Sequence, residues 1–171
     1  MTDCSKFVHL MATMTEVPKR KCNCISCELR NVAFTNLNDK DINRICEARE
    51  EWHYSRGEII HREGDAIHDF KYLKHGLVKL YRVNSDGDEQ IITITRPLEF
   101  VSNTNVFHET HYRYSLSALE DSDVCCIRLD LIKELIEVNG KFALNLISVL
   151  SRTSENRSEE RRVGKECRSR W

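Results

Sequence analysis

Between Trp52 and Leu129, short runs of apolar and β-branched residues alternate with turn signals at Arg56-Gly57, Glu63-Gly64-Asp65, His75-Gly76 and Asp86-Gly87. Turns recurring at about ten residues predict a hairpin-built barrel or sandwich. The strongest hairpin pairs 77–81 with 90–94 through Asn84-Ser85-Asp86-Gly87, where Gly87 supplies the positive φ such a turn needs. Upstream, Asn38 precedes Asp41, Ile42, Ile45 and Cys46, an N-cap, a first-turn carboxylate and apolar spacing that together predict a short amphipathic helix. Downstream, Asp123-Val124-Cys125-Cys126-Ile127 reads as a strand, and Leu131, Ile132, Leu135 and Ile136 form a helical stripe. That stripe is expected to stop at Asn139-Gly140 with a left-handed cap.

A second helix is expected from Lys141. It carries Phe142, Ala143, Leu144, Leu146, Ile147, Val149 and Leu150, apolar around more of its circumference than one supporting surface requires. One face is expected to cover the barrel and the other to meet a second copy. A homodimer with Phe142, Ala143, Leu146, Ile147 and Leu150 at its interface satisfies both.

Residues 1–21 show no sustained period and carry Lys19-Arg20-Lys21 after Pro18, so a mobile arm is expected there. The last fifteen residues, from Arg157 to Trp171, look like a translated sequencing adapter and are set aside as an artefact tail. Their charges are six basic (Arg157, Arg161, Arg162, Lys165, Arg168, Arg170) against three acidic (Glu159, Glu160, Glu166), so without them the formal charge of −1 becomes −4. A basic nucleic-acid-binding arm is therefore not read from that end. With 40% hydrophobic and 31% charged residues, and no apolar run near the roughly 18 residues a spanning helix needs, a cytoplasmic protein without a membrane partner is expected.

Eight cysteines change the picture: Cys4, Cys22, Cys24, Cys27, Cys46, Cys125, Cys126 and Cys167, three of them within six residues and two adjacent. That distribution suits metal binding or redox chemistry in a reducing compartment better than a disulfide framework. Cys125 and Cys126, one residue apart on a strand, should face opposite sides. Cys46 and Cys126 read as small core or surface residues and Cys4 as part of the arm.

Several segments, in order, resemble the Crp/Fnr transcription regulators over nearly all of the span from Cys22 to about Arg152. They are Tyr54-Ser55-Arg56-Gly57-Glu58-Ile59-Ile60, Glu63-Gly64-Asp65, Tyr72-Leu73-Lys74-His75-Gly76-Leu77-Val78-Lys79-Leu80, Asp86-Gly87-Asp88-Glu89-Gln90-Ile91, and Ala118-Leu119-Glu120-Asp121-Ser122-Asp123-Val124-Cys125. The resemblance implies a mainly β fold with flanking helices. Its parts are a cyclic-nucleotide-binding-like antiparallel β-roll over 22–137 and a dimerisation helix over 138–156. A winged helix-turn-helix would follow in an intact parent that binds DNA and RNA polymerase. Nothing after Asn156 offers the helices that major-groove docking requires, so specific operator binding is not expected of this chain.

The resemblance also implies effectors. Cys22, Cys24 and Cys27 come from one loop, and Cys125 falls where oxygen-sensing members place a distant fourth ligand, so a 4Fe-4S iron-sulfur cluster sensing oxygen or nitric oxide is one expectation. Those sensors space their loop cysteines C-x2-C-x5-C, whereas this chain has C-x-C-x2-C, with Asn31 read at the last position. Zinc and redox-active thiols therefore stay open. The rival effector is a cyclic nucleotide, held in this fold by backbone N–H groups after a Gly-Glu pair and by an Arg followed by Ser or Thr. Here the segments read Pro97-Leu98-Glu99-Phe100 and Arg113-Tyr114-Ser115, so Glu99, Arg113 and Ser115 are the candidates, with Leu98 in the place of Gly and Arg113 one residue out of register. A small metal-dependent barrel enzyme is the remote third reading. His108-Glu109-Thr110-His111 is one residue short of a zinc-helix motif, and His53, His61, His68 and His75 are scattered over turns and read as surface histidines. No convergent catalytic set emerges, and no enzyme is expected.

Overall fold

A computed structural model describes residues 24–101 and 104–152. Two short helices open it, α1 (Glu28–Ala33) and α2 (Asp39–Ala48). Asn38 caps α2 as its sequence position demands, its side chain accepting a 2.9 Å bond from the Asp41 N–H. Seven strands follow: β1 (Arg49–Tyr54), β2 (Ile59–His61), β3 (Asp69–His75), β4 (Val78–Val83), β5 (Glu89–Thr95), β6 (Ser115–Ala118) and β7 (Ser122–Arg128). A 3-10 turn (Thr104–Phe107) precedes β6, and α3 (Leu129–Val138) and a helix over 140–152, here α4, complete the described chain.

All strand pairings are antiparallel, in one sheet ordered β1-β7-β3 and a second ordered β2-β6-β4-β5. The expected hairpin is β4-β5, closed by Gly87 at φ 85°. Between the sheets lies an apolar interior of Tyr54, Leu73, Leu80, Leu116, Val124 and Cys126. The other face of the three-stranded sheet presents Phe70, Tyr72, Cys125 and Ile127 to the helices. Period-2 alternation along β3 and β7 thus feeds two cores at once, and it places Cys125 and Cys126 on opposite faces as expected.

The α3–α4 junction differs from expectation. Asn139 has φ −131° and ψ 90°, an extended conformation, and its side chain accepts a 3.1 Å bond from the Phe142 N–H. Asn139 is therefore the N-cap of α4 rather than the left-handed end of α3. The faces of α4 are also divided more sharply than the sequence suggests. Phe142 and Leu146 are 0% and 2% exposed within the chain's own core, so they cannot also supply an interface. Ile147 is 59% exposed, Leu144 is 70% exposed, and Ala143 and Leu150 are half-buried.

Gly76, between β3 and β4, has φ +87°, and a Cβ there would lie 2.4 Å from the Asp121 carbonyl oxygen and 2.7 Å from the Ser122 Cα. Gly57 has the same φ with nothing within 4 Å. Gly76→Ala is therefore expected to lower unfolding stability by about 3 kcal/mol, against about 1 kcal/mol for Gly57→Ala. Urea denaturation of both variants checks it, and equal losses would mean that the contact with β7 is not what constrains Gly76.

Candidate functional site

The loop that enters α1 lays Cys24 and Cys27 against the outer face of the three-stranded sheet, beside Cys125 of β7. The last turn of α2 brings Cys46 to the same place, and β1 begins there with Arg49. The Arg49 side chain lines the same small cavity as Cys24, Cys27 and Cys125. It is close enough to Cys24, Cys46 and Cys125 to act on the ionisation of all three, and Cys24 and Cys46 act on each other. Arg49 also donates to Glu51 at 3.1 Å, and Lys74 donates to the other Glu51 oxygen at 2.6 Å. Cys22 lies outside the described residues.

The environment separates the thiols. Burial pushes Cys24 up to about 12, with its bond to Cys46 adding to the rise. Burial also raises Cys125, which the Arg49 charge limits to about 11. At Cys46 burial acts in the same direction but is outweighed by hydrogen bonds from Cys24 and Arg49, which hold it below the ordinary thiol value. Cys46 is half-buried, whereas Cys24 and Cys125 are buried. Spacing gave no reason to place Cys46 here, because its approach to β7 depends on how α2 packs.

The described thiols do not fit a four-iron cluster in this arrangement. A guanidinium stands among the sulfurs, and the cavity between Cys24, Cys27, Arg49, Lys74, Cys125 and Ile127 is about 20 Å³, room for one water. Among the described residues, no three His, Cys, Asp or Glu side chains are grouped to hold a metal ion. Counting from the Cys24/Cys27 pair, C-x2-C-x5-C also ends at Ala33 rather than Asn31, and Ala33 is fully buried.

The nucleotide candidates are not brought together as a phosphate site. Leu98 holds φ 67°, the left-handed conformation that a glycine would adopt without cost, in a turn where its N–H reaches the Leu73 carbonyl at 2.7 Å. The turn therefore takes a glycine-like shape with a leucine in it. Glu99 accepts the Arg96 N–H at 3.1 Å, and Ser115 Oγ accepts the Glu63 N–H at 3.0 Å. Arg113 is 61% exposed and paired with Glu109, as a solvated surface arginine would be.

His61 was expected at the surface and is instead 6% exposed. It stacks on Tyr112 at 3.6 Å between ring centroids, and Lys71 donates a 2.9 Å bond to the Tyr112 hydroxyl. His108, His111 and His68 are exposed, and His53 pairs with Asp123 at 2.8 Å.

Residues 51–139 match the family model described as the cyclic nucleotide-binding domain. The chain belongs to that family. Among its curated relatives are Crp/Fnr-type regulators. It is 27% identical to the transcriptional activator protein Anr of Pseudomonas protegens, over 76% of this chain and 54% of that protein. It is 23% identical to an anaerobic regulatory protein of Pasteurella multocida, over 80% of this chain and 50% of that one. The chain thus spans about half the length of these relatives. In fold it is similar to DNR of Pseudomonas aeruginosa, with TM-score 0.69 and 22% identity over 82% of this chain and 63% of that chain. It also resembles the catabolite activator protein of Thermus thermophilus, at TM-score 0.59 and 21% identity over 78% of this chain and 62% of that chain. Both likenesses support the mainly β domain with flanking helices. Among the described residues no helix is long and apolar enough to cross a membrane.

Burial, followed by the Lys71 charge, depresses the His61 pKa from 6.5 to about 3. Because the folded value is the lower one, the unfolded chain binds a proton between pH 6.5 and 3 that the folded chain refuses. His61 therefore contributes stability above pH 6.5 that falls away through that window, with a slope approaching about 1.4 kcal/mol per pH unit. In His61→Phe, which keeps a ring against Tyr112, the acid limb of the stability curve is expected to be shallower by up to one proton. Urea unfolding at several pH values measures the slope, and an unchanged slope would show that His61 is protonated in the folded state.

Proposed function

We propose that this chain is the effector-sensing and dimerising module of a Crp/Fnr-type DNA-binding regulator, with its input at the Cys24/Cys46/Cys125 junction and its output through α4. The observation that carries this reading is the clamp between α1 and α4. Phe34, immediately after α1, stacks on Phe142 at 5.9 Å. Asn145 donates to the Ala33 carbonyl at 3.0 Å, and Asn139 donates to the Asn36 carbonyl at 3.1 Å. The loop bearing Cys24 and Cys27 leads directly into α1, so a change at the thiols moves a segment already bonded to α4. DNA binding in the parent, and regulation through RNA polymerase, belong to this proposal by analogy with the relatives. A homodimer in the cytoplasm and a non-enzymatic role belong to it on the same footing.

The iron-sulfur reading of Cys22, Cys24, Cys27 and Cys125 rests on the family resemblance, and the Arg49-centred packing supports thiol chemistry instead. Anaerobically purified protein is accordingly expected to be colourless, with iron far below one atom per chain. A brown preparation holding several thiolate-ligated irons, lost in Cys125→Ser, would reverse the choice.

The homodimer is expected through the outward face of α4, where the exposed Leu144 and Ile147 are flanked by the half-buried Ala143 and Leu150, because exposed apolar side chains at helical spacing are stabilised by a second copy. Ile147→Asp should convert dimer to folded monomer in sedimentation velocity. Phe142→Ala, which empties a core position, should instead lower stability by about 3–5 kcal/mol. A wild type that is monomeric at high micromolar concentration would remove the dimerising half of the proposal.

A further inference from the structure

Cys24, Cys46 and Cys125 lie near one guanidinium, that of Arg49, but they are not equivalent in reach. Cys125 is anchored in the middle of β7 with 3% exposure, and Cys24 is 9% exposed. Cys46, on the last turn of α2, is half-buried and packs against the same core cluster as Cys24, close enough that the two influence each other's ionisation. Both are thiols in this structure. Arg49 sits near Cys46 with its side chain only 8% exposed and held by Glu51 at 3.1 Å. The arrangement supplies an accessible sulfur, a buried partner in contact with it, and a fixed cation where negative charge would develop.

We propose that Cys46 and Cys24 are a peroxide-reactive pair that closes to a reversible disulfide between α2 and the loop before α1. The Cys46 sulfur attacks one oxygen of hydrogen peroxide. The O–O bond breaks and the departing hydroxide takes a proton to become water, leaving Cys46 as a sulfenic acid. The Cys24 sulfur then attacks the Cys46 sulfur, the S–O bond breaks, and the hydroxide leaves with the Cys24 proton as a second water. Two thiols have been oxidised to one disulfide and one peroxide reduced to two waters. Arg49 stands beside both sulfurs and stabilises the attacking thiolate. Cys126, on the other face of β7, takes no part. The bond forms or fails to form irrespective of dimerisation, so its test is separate from that of the module reading. If the reading holds, the disulfide fixes the loop that leads through α1 to α4.

The test treats the reduced, full-length chain with stoichiometric hydrogen peroxide, blocks remaining thiols with an alkylating reagent, and maps peptides by mass spectrometry. The expected result is a Cys24–Cys46 cross-linked peptide with the mass of two hydrogens lost, reversed by dithiothreitol and absent in Cys46→Ser. Cys125→Ser should retain it, and Arg49→Lys should slow its formation by about tenfold. The wild-type map decides the matter even if a variant fails to fold. A disulfide joining Cys24 to Cys27 or Cys125, a Cys46 left reduced under these conditions, or Cys46 oxidised beyond sulfenic acid without a cross-link would each overturn the proposal. So would iron or zinc that co-purifies and shields both thiols from alkylation until it is chelated.

Discussion

The outer face of the three-stranded sheet cannot be left to water, and much of the molecule follows from covering it. Phe70, Tyr72, Cys125 and Ile127 project from β3 and β7 on that side, while the same strands fill the roll interior from their other face. A sheet apolar on both sides requires a second layer on each. The four-stranded sheet supplies one, and α1, α2, α3 and α4 together supply the other. Phe100 meets Phe70 edge-on at 4.2 Å and Tyr72 at 4.4 Å, and Phe34 and Phe142 stack on one another above them. Each helix is held by this one surface, so the position of each depends on the others.

Cysteine reactivity is shaped by the same packing. A thiol under a protein layer loses hydration of its anion, which raises Cys24 and Cys125. A single buried arginine in the same layer works against that penalty, but only for the sulfurs it touches. The Arg49 side chain is only 8% exposed, and the Glu51 carboxylate at 3.1 Å offsets the cost of removing its charge from water. A cation held among thiols favours oxidation and nucleophilic chemistry. It competes with metal coordination, since a metal would have to displace it.

Features set by one segment of chain were legible in the sequence. The Gly87 turn, the Asn38 cap and the opposed faces of Cys125 and Cys126 all follow from local periodicity and capping. What escaped depends on contacts distant in sequence. Cys46 joins the site through the packing of α2, and His61 is buried because Tyr112, far along the chain, stacks on it. Leu98 keeps a left-handed turn against its own steric preference, which costs about 1–2 kcal/mol. Surrounding structure must enforce it, and the Leu73 backbone bonds on either side of Leu98 do so. The helical pattern of α4 showed an excess of apolar residues but not which of them the core would take. Phe142 and Leu146 went inward and Leu144 outward because Phe34 fixes the rotation of the helix.

That rotation is what the proposed thiol input would act on. A helix packed on a featureless surface could absorb a shift at its neighbour by sliding. Here α4 is engaged by an aromatic stack, an Asn145 bond to the end of α1, and reciprocal bonds linking Asn36 with Asn139 and Lys141. Directional bonds of this kind have few alternative registers, so displacement of α1 is transmitted as rotation or as loss of the bonds, not dissipated gradually. Leu144 and Ile147 lie on the opposite side of the same short cylinder. A small rotation about its axis would therefore change which apolar residues face outward, so under the proposed function a coupling between thiols and association would require no long pathway through the roll.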